Sequence, residues 1–276
     1  MAGKAWTYDE VKLAYFLYCQ LSFGQLDSRN PDVKELARLL GRTPGSVAMK
    51  LVNLASLDQN ITSTGRSGLK NASRLDRSVW EEFKQHWDMP IEAAIVKREQ
   101  LRLAAQPIAE SRLQDASQDS NHTPQINEPV REAIQDADYS ANNRIALVLQ
   151  REKQFFFRRA VLSAYRHRCC MTGLAEPKLL NASHIIAWSE DPNNRLNPAN
   201  GLCLSALHDR AFDQHLISLD EQFRIIVSKR LKRQYRDDAI KRTFLELEEK
   251  QIELPERFTP DTAFLARHRE VMARHT

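Results

Sequence analysis

The chain has little of what would place it in a disulfide-built, zinc-scaffolded or membrane-spanning class. Four cysteines are scattered through 276 residues, two of them adjacent (Cys169 and Cys170), and no C-x-x-C pair occurs. That argues against a disulfide framework and against a structural four-cysteine zinc site. No apolar run approaches transmembrane length, and the opening residues MAGKAWTYDE lack the apolar core of a signal peptide. The expectation is therefore a cytoplasmic protein without a membrane partner. Neither sign of charge dominates: a net charge of +4 permits nucleic-acid binding without arguing for it. Internal repeats are absent. What remains is ordinary globular composition and a length that suits one large domain or two smaller ones.

The first segment reads as small helices. Thr7 and Glu10 spell a capping box before VKLAYFLYCQL. Asn30 followed by Pro31 is an N-cap with proline at the first helical position, and Gly41 suits the residue just past that helix. Thr43 and Pro44 restart a helix through GSVAMKLVNLASL. Helix, short glycine turn, helix is the helix-turn-helix outline. Val47, Leu51 and Leu54 recur at helical spacing and face the core, which turns Arg42, Ser46, Lys50 and Asn53 away from it. In such folds the second helix enters the major groove, and its N-terminal polar residues meet bases and phosphates. The same pattern fits a bundle that never touches DNA. A loop with Arg66, Lys70 and Arg74 follows, suited to phosphates or simply to solvent. Ser73 and Asp76 then open another helix, in which Val79, Trp80, Phe83 and Trp87 form a core-packing stripe.

A charged helix is expected from Ile91 to about Glu110. From Ser111 to about Ala141 the chain loses its hydrophobic residues, which describes a flexible linker. Phe157, Val161 and Tyr165 step by one helical turn and predict a packed helix, with Arg158 and Arg159 on its flanks. After it, LLNASHIIAW reads as a strand, SEDPNNRLNPANG as a turn-rich loop, LCLSA as a second strand and LHDRAFDQHL as the start of a helix. LISLDEQFRIIVS alternates about Asp220-Glu221-Gln222 as a hairpin. A basic run, KRLKRQYR, and a closing C-terminal helix complete the chain.

A histidine after a strand (His184), an asparagine in a turn (Asn200) and a histidine opening a helix (His208) suit metal-assisted cleavage of a phosphodiester. Imidazole is a general base near neutral pH, and imidazole or an amide oxygen can hold a divalent cation. The flanking residues make the pattern specific: Cys169, Thr172 and Gly173; Ser183, His184 and Ile185; Asn200, Gly201, Leu202 and Leu204; Leu207, His208, Phe212 and Asp213. Together they resemble the HNH nuclease domain, the ββα-metal finger, over about a quarter of the chain. The resemblance implies that His184 is the general base and that His208 ligates the cation. It implies that Asn200 either ties the loop together or binds metal. Many HNH proteins carry a metal-binding Asp or His just before the base, and here that position is Ser183, a poor ligand. Asp213 or Asp209 is then the source of a missing carboxylate, although Asp213 equally suits a structural link to the hairpin. Arg195 is a candidate phosphate clamp.

The expectation is thus an α+β protein: residues 1–90 a helix-turn-helix-like domain that reads DNA through Arg42, Ser46 and Lys50, residues 91–141 a charged helix and flexible linker, and residues 142–276 an HNH nuclease domain with flanking helices and a hairpin. Its catalytic set is His184, Asn200 and His208, and its metal set His208, Asn200 and Asp213. The cofactor implied is a divalent cation, Mg²⁺ first, with Mn²⁺ or Ni²⁺ also suiting imidazole. The partner is double-stranded DNA, in restriction or defence against foreign or modified DNA. A nicking monomer and a homodimer cutting both strands are equally open. Two further readings are a DNA-binding regulator with an inactive HNH fold, and a nuclease effector whose N-terminal domain senses a protein or small molecule.

Overall fold

The computed structural model describes residues 4–66, 71–105 and 141–274. Lys70 and residues 106–140, which take in the end of the expected charged helix and the linker expected from Ser111, lie outside them.

Helix α1 (Tyr8–Gln20) is the axis of the N-terminal half. Thr7 and Glu10 close the capping box at its start, and from Val11 to Gln20 all residues but Lys12 are buried. A helix apolar on nearly every side has to be surrounded. Around it stand α2 (Pro31–Leu40), α3 (Pro44–Ala55), the short α4 (Gln59–Thr62), α5 (Arg74–Gln85) and α6 (Asp88–Ala105). Asn30 caps α2, Gly41 ends it in the left-handed conformation at φ 59°, and Thr43 caps α3. The aromatic stripe of α5 packs inward as expected: Trp80 meets Tyr15 edge-on at 5.2 Å, and Phe83 lies 4.3 Å from the same ring. Helix α6 starts at Asp88 and buries Pro90, Ile91, Ala94 and Ile95. The charged helix expected from Ile91 is thus a helix that also contributes to the core.

Helix α7 (Ala141–Ala164) joins the two halves. Phe156 stacks on Phe16 of α1 at 5.0 Å, while Phe157, Val161 and Tyr165 are buried toward the second half. Arg257 completes the junction. Its side chain is fully buried and donates from Nη1 to the Tyr18 carbonyl at 2.6 Å and from Nη2 to the Leu21 carbonyl, at the end of α1. It thereby satisfies carbonyls that a helix terminus leaves without partners.

The second half is a small finger. Strands β1 (Leu180–His184) and β2 (Gly201–Ser205) pair antiparallel, His184 opposite Gly201 and Leu180 opposite Ser205. Helix α8 (Ala206–Asp213) follows β2 directly, capped by Ser205, and packs on both strands. The Thr-Gly turn braces the start: Gly173, at φ 73°, donates to the Cys169 carbonyl, and the Cys170 amide donates to the Cys203 carbonyl of β2, each at 2.8 Å. Cys169 is a small buried residue here. The hairpin β3 (Ile217–Leu219) and β4 (Ile225–Val227) follows, its turn held by Asp220, which accepts from the amides of Gln222 and Arg224. Short helices α9 (Lys229–Lys232) and α10 (Asp238–Thr243) and the closing α11 (Thr262–Arg274) end the chain.

Gly201 is needed for space. A Cβ there would lie 2.4 Å from Val161 Cγ2 and 2.9 Å from Phe157 Cζ, both on α7. Gly201→Ala is expected to cost about 1–3 kcal/mol by overpacking and to displace the Phe157 ring. The checks are thermal melting and, because Phe157 supports His184, the activity assay below. A variant as stable as wild type would show that α7 yields more readily than this packing implies.

Candidate active site

A cleft of about 860 Å³ opens where β1, α7, α8 and α11 meet. His184 stands on one side at the end of β1, and Asp209 and Asp213 line it from α8. Arg158 of α7 and Arg267 and Arg274 of α11 bring positive charge to it.

Three neighbours hold the His184 ring. Phe157 stacks on it at 3.7 Å with planes 9° apart, Trp188 meets it edge-on at 5.7 Å, and Nε2 lies 3.0 Å from the Arg195 carbonyl oxygen. A carbonyl only accepts, so Nε2 carries the proton and Nδ1 keeps its lone pair. Burial pushes the imidazole below its ordinary pKa, and the carbonyl partly opposes this. The imidazole is thus neutral at physiological pH. Arg195 contributes its backbone; its guanidinium donates to the Trp188 carbonyl at 2.7 Å, stacks on that indole and is not part of the cleft wall. The neighbouring Leu196 amide bonds to Asp88 of α6, whose carboxyl is pushed up to about 6, chiefly by burial.

Asn200 is buried with its amide spent on the loop. Oδ1 accepts from the Ile186 amide at 2.8 Å, and Nδ2 donates to the carbonyls of Ile186 and Asn194, each at 3.1 Å. It ties together the loop that returns from His184. The side chain does not line the cleft, which sets the geometry against its expected place in the metal set.

His208 also departs from the expected metal set. It is 5 % exposed and points inward, Nδ1 2.7 Å from Ser205 Oγ and Nε2 3.2 Å from the Thr243 carbonyl. The reason is helical phase. Residues 208 and 212 share one face of α8, and Phe212 is fully buried; 209 and 213 share another, and that face lines the cleft. The carboxylate of Asp209 accepts from Asn181 Nδ2 at 2.7 Å, a partner that no sequence signal announced. Burial, and next the charge of Asp209, raises the pKa of Asp213 above the ordinary carboxylate value. Two carboxylates one turn apart in a partly dry cleft form an oxygen donor set that a hard divalent cation relieves, with water and phosphate oxygens completing its shell. Among the described residues, no three His, Cys, Asp or Glu side chains converge to hold a metal by themselves. Ser183 lines the cleft, and its hydroxyl is buried without a hydrogen-bond partner among the described residues.

His268 of α11 lies at the back of the cleft, buried and stacked on Phe212 at 3.8 Å. Its Nδ1 is 2.9 Å from Ser218 Oγ, and its Nε2 is 3.1 Å from both the Phe212 carbonyl and His215 Nδ1. Burial, chiefly, pushes its pKa down to about 4. The unfolded chain takes up a proton below about 6.5 that the fold refuses, so stability is full above that pH. It falls by about 3 kcal/mol as pH drops toward the folded value. Urea midpoints across this range test this: the wild-type drop should shrink in His268→Gln, and an equal drop in both proteins would move the effect to other groups.

The N-terminal candidates are not together. Arg42 is packed inside, paired with Glu10 at 2.7 Å, donating to the carbonyls of Lys4 and Ala5, and stacked on Trp6. Lys50 is buried against Asp76, which is 0 % exposed, at 2.7 Å. The structure thus corrects the expected DNA-facing set: Arg42 ties the turn before α3 to α1, and Lys50 ties α3 to α5. Ser46 is half-buried, and its amide is capped by Thr43. Arg66 pairs with Glu256 in the second half.

Two antiparallel strands, a helix packed across them, and a histidine sharing a cleft with two helix-borne carboxylates make up a ββα finger. Residues 169–220 match the family model described as HNH endonuclease, and this stretch is an HNH endonuclease domain. No curated protein matches the chain. The family carries out nuclease chemistry on DNA and generally uses divalent metals. Among the described residues no helix is long and apolar enough to cross a membrane.

Proposed function

We propose that this chain is a divalent-cation-dependent DNA endonuclease that hydrolyses phosphodiesters in the cleft between β1, α8 and α11. The observation that carries this reading is His184: its Nε2–H is spent on the Arg195 carbonyl, so Nδ1 is available as a base in a cleft that also holds Asp209, Asp213 and three arginines. His184 takes a proton from water, and the resulting hydroxide attacks phosphorus. The bond from phosphorus to the leaving 3′-oxygen breaks, and that oxygen takes up a proton from solvent. Arg158, Arg267 and Arg274 hold the diester in the cleft. Asp209 and Asp213 would hold the cation, which when bound would supply charge relief at the phosphate. An oxygen donor set favours Mg²⁺ or Mn²⁺ over Ni²⁺. Asn200 acts as the clamp of the loop, and His208 as an anchor within the finger.

The biological setting consistent with this is restriction or defence. One cleft cuts one strand, so a double-strand break takes two copies or two visits. Residues 1–90 have a second role open to them. With Arg42 and Lys50 consumed in buried pairs, a module that senses a protein or small molecule accounts for the bundle better than one that reads DNA. Incubation of supercoiled plasmid with the full chain, in Mg²⁺ or Mn²⁺ and in EDTA, tests the nuclease. Nicking confined to the metal arms is expected, and equal nicking in EDTA would rule out the metal-dependent reading.

A further inference from the structure

The chain's positive charge is not spread over its surface. Residues 229–242 contain seven Lys and Arg against two Asp, a net +5, while the whole chain carries +4; everything else therefore sums to −1. This strip follows β4 and forms α9, a turn and α10. Lys229, Arg230, Arg233, Arg236 and Lys241 are exposed, and among the described residues none has a carboxylate within 4.0 Å. Lys232 is paired with Glu248, and Arg242 lies 3.9 Å from Asp238. Tyr235 is 59 % exposed beside Arg236, whose Nε donates to its hydroxyl at 3.1 Å.

Both ends of the strip are fastened to the finger. At the first, the Ser228 amide donates to the Leu216 carbonyl at 2.9 Å, one residue beyond the cleft residue His215, and Leu231 is buried. At the second, the Thr243 carbonyl faces His208 Nε2, and buried Phe244 lies 5.5 Å from the same imidazole. The helix that presents Asp209 and Asp213 to the cleft thus holds the strip with its opposite face. A cluster of like charges with so few local counter-charges repels itself and is stabilised by a polyanion. A duplex offers one phosphate per roughly 1.7 Å of axis.

We propose that residues 229–242 form a second nucleic-acid surface, separate from the cleft, which grips the phosphate backbone of the substrate duplex through Lys229, Arg230, Arg233 and Arg236. It reads charge and not sequence, because exposed Lys and Arg side chains along a strip meet phosphates, which carry no sequence information. Its place in catalysis rests on the nuclease reading; its binding of DNA does not.

The test uses the full chain and a triple variant, Arg230→Gln, Arg233→Gln and Arg236→Gln, which leaves the anchors Ser228, Leu231, Thr243 and Phe244 untouched. Anisotropy of a labelled duplex of arbitrary sequence is followed in EDTA across a salt series. The slope of log K against log salt should become shallower by about 0.9 for each phosphate that the variant no longer neutralises, roughly 2 to 3 in all. In metal, plasmid nicking by the variant should show a KM at least tenfold higher. Hydrolysis of bis(p-nitrophenyl) phosphate, which needs only the cleft, should be unchanged. An unchanged slope and unchanged plasmid KM overturn the proposal, with the nuclease intact. A shallower slope in a chain that hydrolyses neither substrate supports the surface and overturns the nuclease reading instead.

Discussion

Supercoiled plasmid nicked by the wild-type chain should survive incubation with His184→Ala, the rate falling by a factor on the order of 10² to 10⁴. The expectation follows from tautomer geometry. Nε2 is committed to the Arg195 carbonyl at 3.0 Å, and the ring is clamped against Phe157 at 3.7 Å. The one lone pair on the ring is then at Nδ1, and alanine removes it. Burial keeps the imidazole pKa below its ordinary 6.5. The base is therefore neutral, and active, above that lowered value, and kcat/KM should fall only as pH drops through it, on the acid side of 6.5. An acid limb at or above neutrality would count against His184 as the base. Circular dichroism and melting show whether the variant is folded, and cleavage that survives in a folded variant would reassign the role.

Asp213→Asn is expected to cost about as much activity, and to make the metal-free protein more stable. The two effects have one cause. Asp213 and Asp209 line the same cleft from one face of α8, and burial together with the Asp209 charge raises the Asp213 pKa. An ionised carboxylate whose folded pKa is raised destabilises the fold at neutral pH. The isosteric amide removes that repulsion, so the variant in EDTA should melt above wild type. Added Mg²⁺ should then raise the melting temperature of wild type but not of the variant, by the linkage of ligand to folding. Plasmid nicking should fall by roughly 10³, the several kcal/mol that cation charge relief supplies. A variant that melts lower in EDTA and still gains stability from Mg²⁺ would place the cation elsewhere. Asp209→Asn is the weaker probe, because Asn181 donates to that carboxylate at 2.7 Å and the fold loses this bond as well.

Much of this protein was determined by local sequence. Thr7 with Glu10, Asn30 with Pro31, Gly41, Thr43 and Ser73 with Asp76 start and stop helices through atoms a few residues away, so their effect needs no knowledge of the fold. The order strand, loop, strand, helix about His184, Asn200 and His208 was equally legible, since turn chemistry and alternation are local. Tertiary structure decided which side of each element does what. Sequence spacing shows that Asp209 and Asp213 share a face of α8 and that His208 lies on another. Only the packing of that helix against β1, β2 and Phe244 sends the carboxylates to the cleft and the histidine inward. The same holds for Arg42 and Lys50. A charge in a turn or on a helix reads as solvent-facing until Glu10 and Asp76, from α1 and α5, arrive to neutralise it. Asn200 kept two roles open in the sequence because an amide can serve loop or metal. The loop settles its geometry by bringing the Ile186 and Asn194 backbone to within 3.1 Å. Local chemistry names the residues, and long-range packing sets their direction, because burial and charge pairing depend on partners far away in the chain.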